Sequence, residues 1–177
     1  MADFEKAFEL VLKNEGGYVN DPDDAGGETY KGVARNRNAN WAGWINVDLL
    51  KQRGGFPQNL EQDIDLQILI KDLYAVKYWH TVRGDQIENQ DIATSIFDFG
   101  VNAGPATSSR MAQLSCGATV DGVIGDKTLE KLNQIEPELF LAQFKLAKIA
   151  RYIHICKKNH KYKKFLLGWT TRTLEGA

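Results

Sequence analysis

The sequence has few of the residues that hold small domains together through disulfides or metal ions. Its 177 residues include two cysteines, Cys116 and Cys156, four prolines and three histidines. Two cysteines cannot form a disulfide framework, and the histidines form no H-E-x-x-H motif, so we expect no metal site of this kind and no cofactor. Hydrophobic residues make up 43% and charged residues 25% of the chain, which is typical of a folded domain with a proper core.

Long apolar runs are also missing from the sequence. No stretch approaches the roughly 18 apolar residues of a membrane-spanning helix, so we expect no stable membrane insertion. Near the N-terminus, Asp3 and Glu5 stand where a signal peptide carries basic residues, and no small-residue cleavage site follows. We therefore expect cytoplasmic synthesis without a signal peptide.

The net charge of −1 hides an uneven distribution. Residues 1–90 hold 10 basic and 15 acidic side chains, whereas residues 91–177 hold 12 basic and 8 acidic side chains. Residues 141–173 contain nine basic residues and no acid. Such a surface favours an anionic partner, although a solvated helix face explains it equally well.

The spacing of apolar residues follows the helical period almost throughout, which predicts a mostly α fold. Gly, Asp and Pro dominate residues 16–32, which predicts an ordered loop or small irregular hairpin after the first helix. The predicted N-caps are Asp3, the pair Asn59 and Gln62, Asp91 and Asp126. Helices are predicted at residues 4–15, 60–79, 92–103, 106–114, 137–158 and 162–174, with a short one after Asp126.

Glu15 stands out at the end of the first predicted helix. At about 100° per residue it falls within the arc that carries Phe4, Phe8 and Val11. Loss of hydration and the negative end of the helix dipole both raise the pKa of a carboxyl group in that position. Glu15 is therefore a candidate general acid. The alternative is a helix-end glutamate that turns to solvent or meets a core partner.

The segment from Glu15 to Val33 resembles the signature of glycoside hydrolase family 108, the bacterial and phage N-acetylmuramidases. The family pattern is E-G-G-Y, then P-x-D-x-G-G-x-T, then a glycine before an aliphatic residue. The matching positions are Glu15, Gly16, Gly17, Tyr18, Pro22, Asp24, Gly26, Gly27, Thr29, Gly32 and Val33.

The resemblance extends through the second half of the chain. Residues 97–104, F-D-F-G-V-N-A-G, are similar to the inner helix of the family. Gln113 and residues 120–129 are similar to the peptidoglycan-binding region found at the C-terminus of many family members. Residues 165–172 resemble the last helix of the family. Asp126 departs from the pattern, which usually has proline there.

The resemblance implies a lysozyme-like helical domain that cleaves the β-1,4 bond between N-acetylmuramic acid and N-acetylglucosamine. It divides the chain into a catalytic region, residues 1–105, and a peptidoglycan-binding-like region, residues 106–177, packed on the same core. It also implies a monomer that binds bacterial peptidoglycan and no nucleic acid. The missing signal peptide is typical of a phage or prophage endolysin, which reaches the wall or periplasm after release, through a holin or another export partner.

Glu15 corresponds to the catalytic glutamate of the family. Glycoside hydrolysis normally uses a second group, and the resemblance to phage-type lysozymes makes Asp24 and Thr29 the candidates. Asp21 and Asp23 are alternative carboxylates, with turn formation as their structural role.

Four further residues are candidates for substrate binding, because sugar rings stack on aromatic faces and bond to amides. Core packing is the alternative role of each aromatic ring. The four candidates are Tyr18, Tyr30, Trp79 and Asn102.

Two other functions deserve comparison with hydrolysis. Asp21, Asp23 and Gly26 fit an EF-hand loop, but Ala25 and Gly32 would stand where that loop needs oxygen ligands, so calcium binding is not expected. A non-catalytic protein that binds cell wall or nucleic acid, or that regulates secretion, could use the basic residues 145–164, where aromatic residues interleave the charges. An acidic residue on the apolar face at Glu15 favours the enzyme.

Overall fold

The structure, a computed structural model, describes residues 1–14, 16–21 and 26–175, and of Asn14 and Glu175 only the backbone. It divides into two compact units. The loop unit is Phe8–Val76, and the helical unit combines Met1–Ala7 with Lys77–Ala177. The boundary predicted between residues 105 and 106 falls inside the helical unit, and the division into two functional regions there stays a prediction.

Helix α1 (Phe4–Asn14) is the predicted first helix. Ala7, Phe8 and Val11 are buried, whereas Glu9 is exposed. This one-sided burial follows the apolar period of the sequence. The face of α1 that the spacing predicted to be apolar is therefore buried.

A small antiparallel sheet occupies the glycine-rich segment that follows α1. Its strands are β1 (Tyr18–Val19), β2 (Thr29–Tyr30) and β3 (Val33–Ala34), in the order β1-β2-β3. Gly32 has a φ of 74° in the turn between β2 and β3, a conformation that glycine adopts without strain. The expected loop or irregular hairpin is thus confirmed in its described part.

Helix α2 (Gly43–Lys51) lies in a stretch for which the sequence predicted no element. Trp44, Val47 and Leu50 are buried. The helix was missed because few of its apolar residues repeat at the helical period, and Ile45 and Leu49 are exposed on the opposite side.

Helix α3 (Ile64–Tyr74) begins later than predicted. Asp63 caps it by accepting a hydrogen bond from the backbone N–H of Leu66 at 2.7 Å. The predicted capping pair is wrong, because the Asn59 amide donates instead to the carbonyls of Leu50 and Gly54. A 3-10 turn (Gln58–Gln62) precedes α3, and a π-helical turn (Ala75–Trp79) follows it.

Five helices form the helical unit's described part together with the N-terminal residues. Helix α4 is buried along most of its length and ends at Gly104, which has a φ of 88°. Asn89 caps α4 in place of the predicted Asp91, accepting from the backbone N–H of Ile92 at 3.0 Å. The bounds are α4 (Gln90–Ala103), α5 (Pro105–Ser115), α6 (Asp126–Gln134), α7 (Pro137–Lys158) and α8 (Leu166–Glu175), with a 3-10 turn (His160–Phe165) before α8.

The turn between α5 and α6 is organised by one buried amide. Gln113 has no exposed surface, and its Nε2 donates to Asp121 Oδ1 at 2.7 Å and to the carbonyl of Val123 at 2.9 Å. Its Oε1 accepts from the backbone N–H groups of Asp121 and Gly122. A buried amide that is satisfied on both sides fixes the turn that the motif D-G-x-I-G indicated.

The described residues confirm a mostly α protein with one small sheet. Within them, no helix is long and apolar enough to cross a membrane.

Candidate functional site

The segment predicted to carry catalysis is described only in part. Glu15, Asp23 and Asp24 lie outside the described residues, so their predicted roles stay predictions. Asp21 is described and exposed. Thr29 lies on β2, half-buried, and its Oγ1 donates to the carbonyl of Gly27 at 3.1 Å. The lone pairs of that hydroxyl stay available to accept a hydrogen bond.

Pairing of β1 with β2 places two of the predicted residues opposite each other. Tyr18 is the register partner of Tyr30, and Val19 is the partner of Thr29. The sheet therefore brings Tyr18 and Thr29 onto adjacent strands of the loop unit.

Tyr30 is fully buried. Its hydroxyl donates to Glu61 Oε1 at 3.1 Å and accepts from Gln67 Nε2 at 2.9 Å. Burial raises the pKa of Tyr30 well above its ordinary value. A ring without exposed surface cannot stack on a sugar in this conformation, so the structure gives Tyr30 a packing role in place of the predicted substrate contact.

Tyr18 keeps part of its surface in solvent. The edge of its ring meets Phe56, with the ring centroids 4.7 Å apart, and Lys51 Nζ lies 5.8 Å from its centroid. Burial raises the pKa of Tyr18, and Glu28 adds to the shift through a hydrogen bond and its charge. Tyr18 is the predicted aromatic residue of the loop unit that can still offer surface to a sugar.

The charged group beside Tyr18 was missed by sequence reasoning. Glu28 is only 9% exposed, and its carboxylate forms ion pairs with Arg35 Nε at 2.7 Å and with Lys51 Nζ. Arg35 also holds Asp48 through two contacts of 3.0 and 2.6 Å. We call Glu28, Arg35, Asp48 and Lys51 the Glu28 cluster. Glu28 directly precedes Thr29 in the chain, so the cluster adjoins the strand that carries Thr29.

Electrostatics within the Glu28 cluster favour the ionised forms. The Arg35 guanidinium lowers the pKa of Asp48 below its usual value, and Lys51 adds to this effect. Asp48 in turn raises the pKa of Arg35. The only sequence signal for this cluster is the position of Glu28 within the motif segment, because its partners lie in α2 and after β3.

Trp79 belongs to the core of the helical unit. It has no exposed surface, its Nε1 donates to Asp85 Oδ1 at 2.7 Å, and its ring packs against Phe4 and Phe97 with centroids 5.7 and 5.6 Å away. A Cβ on Gly84 would come within 2.4 Å of that ring, so only glycine fits there. Trp79 therefore packs the core, which corrects its predicted role as a sugar platform.

Asn102 lies exposed near the end of α4. Its Nδ2 donates to the carbonyl of Asp98 at 2.7 Å and contacts Asp98 Oδ1 at 3.3 Å. Asn102 also lines a pocket between α4, α7 and α8. Substrate binding by Asn102 stays a prediction.

No group of three or more His, Cys, Asp or Glu side chains that could hold a metal ion occurs in the described part of the chain.

Comparison with known families decides the assignment. Residues 8–104, more than half of the chain, match the family described as "Glycosyl hydrolase 108". The chain belongs to this family. Residues 107–174 match a second family, described as "Predicted Peptidoglycan domain". The family assignment agrees with the resemblance carried by the Glu15 to Val33 motif and by residues 97–104.

Among solved structures, "Structure of Brucella abortus SagA" is similar to this chain over most of its length. The two are 28% identical, with a TM-score of 0.68, over 97% of this chain and 90% of SagA. A comparison with curated proteins gave no match. The lysozyme-like helical fold expected from the sequence is confirmed, and the chain is a peptidoglycan hydrolase of the glycoside hydrolase class.

Proposed function

We propose that this protein is an N-acetylmuramidase that cleaves the β-1,4 bond between N-acetylmuramic acid and N-acetylglucosamine. The observation that carries the proposal is the family match over residues 8–104, which includes the whole segment from Glu15 to Val33. The second match supports peptidoglycan as the substrate.

Glu15 is the proposed general acid, and it protonates the glycosidic oxygen as the bond breaks. The burial of Ala7, Phe8 and Val11 supports this role, because the helical spacing of Glu15 depends on those residues forming the apolar face. A carboxyl group next to that face has a raised pKa and can hold its proton near neutral pH.

The second part of the proposed reaction uses the segment from Asp24 to Thr29. Asp24 orients water or stabilises the positive charge that develops on the sugar. Thr29 supports this step through its hydroxyl oxygen, because its proton is already directed at the carbonyl of Gly27. Tyr18 offers the adjacent ring surface.

The decisive variant is Glu15→Gln, with Glu9→Gln as the matched control. Glu9 is exposed on the same helix, so its substitution removes a carboxylate of equal charge outside the proposed site. We expect Glu15→Gln to lower the rate of peptidoglycan cleavage by about 10²- to 10⁴-fold, the usual contribution of a general acid. Glu9→Gln should cleave at the wild-type rate.

Mass analysis of borohydride-reduced muropeptides identifies the bond. A muramidase releases fragments that end in reduced N-acetylmuramic acid, whereas a glucosaminidase releases fragments that end in reduced N-acetylglucosamine. Equal clearing of purified cell wall by wild type and Glu15→Gln would contradict the assigned acid. Binding to the wall without any cleavage would favour the non-catalytic alternative.

A further inference from the structure

A pocket of about 270 Å³ lies within the helical unit, between α4, α7 and α8. Its wall combines aromatic surface from Tyr152 and Trp169, whose ring centroids are 5.1 Å apart, with cationic side chains. A pocket of this kind suits a small ligand with one charged end and an apolar body.

Lys148 is the unusual member of this wall. It is only 4% exposed, although lysine is almost never buried without a partner. Its Nζ lies over the rings of Phe144 and Phe99, whose centroids are 5.1 and 5.4 Å away. No described residue supplies it with a hydrogen-bond acceptor or an ion pair within 4.0 Å.

Asp98 supplies the carboxylate in the described lining of the pocket, and two other lining residues already contact it. Asp98 Oδ1 accepts from Arg172 Nη2 at 3.1 Å and from Asn102 Nδ2 at 3.3 Å. Asp98 raises the pKa of Lys148 through its charge, but desolvation outweighs this effect and the pKa of Lys148 is lowered. The buried ammonium therefore still lacks an anion at hydrogen-bonding distance.

Arg151 adds a second unpaired donor. Its Nε is buried and has no hydrogen-bond partner among the described residues. Lys148 and Arg151 stand three positions apart on α7, so both project from the same face of the helix into the pocket. Arg151 Nε is buried without an acceptor, and the largely buried Lys148 has no described acceptor either, so an anion in the pocket would complete the site.

We propose that this pocket binds a free carboxylate of a peptidoglycan stem peptide, held by Lys148 and Arg151 and flanked by Trp169. Where a stem peptide is attached, the lactyl carboxyl group of N-acetylmuramic acid is an amide, so the glycan strand offers neutral hydroxyl and amide groups and the free carboxylates lie on the peptides. The helices α7 and α8 that supply these three residues lie in the segment that matches the peptidoglycan domain. The inference rests on the proposed action on peptidoglycan and adds recognition of the peptide to cleavage of the glycan.

The test measures binding of a synthetic stem pentapeptide by isothermal titration calorimetry, beside the same peptide with every carboxylate converted to an amide. The wild-type chain should bind the free acid and lose about tenfold or more in affinity for the amide, because a charge-assisted hydrogen bond is lost. Lys148→Met should lose a similar factor for the free acid. Equal affinity for the two peptides, or an unchanged affinity of Lys148→Met, would overturn the proposal.

Two further variants keep the test decisive. Arg151→Met removes the second donor and should also weaken binding, whereas Lys6→Met removes an exposed lysine of the same unit and should bind as the wild type does. Inorganic phosphate is the competing anion, and tighter binding of phosphate than of the peptide would refute the assignment to a carboxylate.

Cleavage of peptide-free glycan separates this inference from the proposed function. If wild type cleaves this glycan but shows no preference for the free-acid peptide, the pocket assignment fails and the muramidase stands. If wild type prefers the free-acid peptide but cleaves no glycan, the pocket assignment stands and the muramidase proposal fails.

Discussion

The two units each bury a charged side chain, and they treat it in opposite ways. In the loop unit, Glu28 is buried with Arg35 and Lys51 in ion-pair contact. In the helical unit, Lys148 is buried against two aromatic rings and has no described anion within ion-pair distance. Glu28 has counter-ions within its own chain, whereas Lys148 has none within that distance among the described residues.

The difference separates a structural role from a binding role. A buried charge with a counter-ion in its own chain stabilises the geometry around it. Removal of one partner leaves the other charge buried without compensation for its lost hydration. A buried charge without a match lowers the stability of the free protein and recovers that loss when a ligand of opposite charge binds. Neutral substitutions of Glu28 and Lys148 should therefore change the free energy of unfolding in opposite directions.

The largest expected effect is loss of stability in Glu28→Gln. The substitution keeps the shape of the side chain but leaves Arg35 and Lys51 without their shared carboxylate. Both cations are about one-third exposed, so their hydration offsets part of the cost of losing the carboxylate. We expect the free energy of unfolding to fall by about 2 kcal/mol. Urea unfolding followed by circular dichroism measures this change.

Asp48→Asn is the matched control for that experiment. Asp48 contacts the same two cations but is 51% exposed, so its loss should reduce the free energy of unfolding by less than about 1 kcal/mol. Equal losses in the two variants would show that burial of Glu28 has no special role.

The next effect has the opposite sign. Lys148→Met replaces a buried ammonium with an apolar chain of similar length, and we expect the free energy of unfolding to rise by about 1 kcal/mol. The gain is limited because the ammonium contacts with Phe99 and Phe144 are lost. Lys6→Met should change stability by less than about 0.5 kcal/mol. A clear loss of stability in Lys148→Met would instead make Lys148 part of the structural core.

The smallest effect is a pH dependence of that difference. Desolvation lowers the pKa of Lys148 in the folded protein, against the opposing charge of Asp98 and with help from Lys145 and Arg172. The folded chain therefore releases this proton before the unfolded chain does, and wild-type stability rises as pH increases from the folded pKa toward 10.5.

Unfolding of wild type and Lys148→Met at pH 7 and pH 10 tests this dependence. The methionine variant lacks the titrating group, so its advantage should be largest at pH 7 and smaller at pH 10. Tyr152 also titrates in the pocket, but it is present in both proteins and cancels in the difference. An advantage that grows with pH would contradict the direction of the shift.

Local sequence signals predicted the described helices other than α2, but few of their exact ends. Helix α7 has the predicted bounds, because Pro137 fits the first turn of a helix and no glycine or further proline interrupts the chain up to Lys158. Helix α3 starts four residues later than predicted, because Asp63 competes with Asn59 for the cap and Asn59 is engaged by the carbonyls of Leu50 and Gly54. Such competition depends on tertiary contacts that a local pattern does not contain.

The sequence likewise predicted one part of the candidate site, and tertiary contacts determine the rest. The motif from Glu15 to Val33 was readable because order and spacing of its residues are specific. The roles of Tyr30 and Trp79 could not be predicted, because the sequence does not distinguish a buried aromatic ring from one that stacks on a sugar. The Glu28 cluster and the Lys148 pocket are assembled from distant segments, so only the folded chain shows which charges are matched.

Helix α7 carries two kinds of cation, and this has a consequence for the kinetics of wall binding. Lys148 lies buried near its middle, while Lys157 and Lys158 are exposed at its end. At about 1.5 Å per residue the two sites are about 14 Å apart, more than the Debye length of about 8 Å at physiological ionic strength. If Lys148 holds a peptide carboxylate as proposed, we expect the exposed lysines to affect mainly the rate of association with the wall and to lose this effect in salt, and Lys148 to affect mainly the rate of dissociation. The association rate and the residence time would then depend on different residues of one helix.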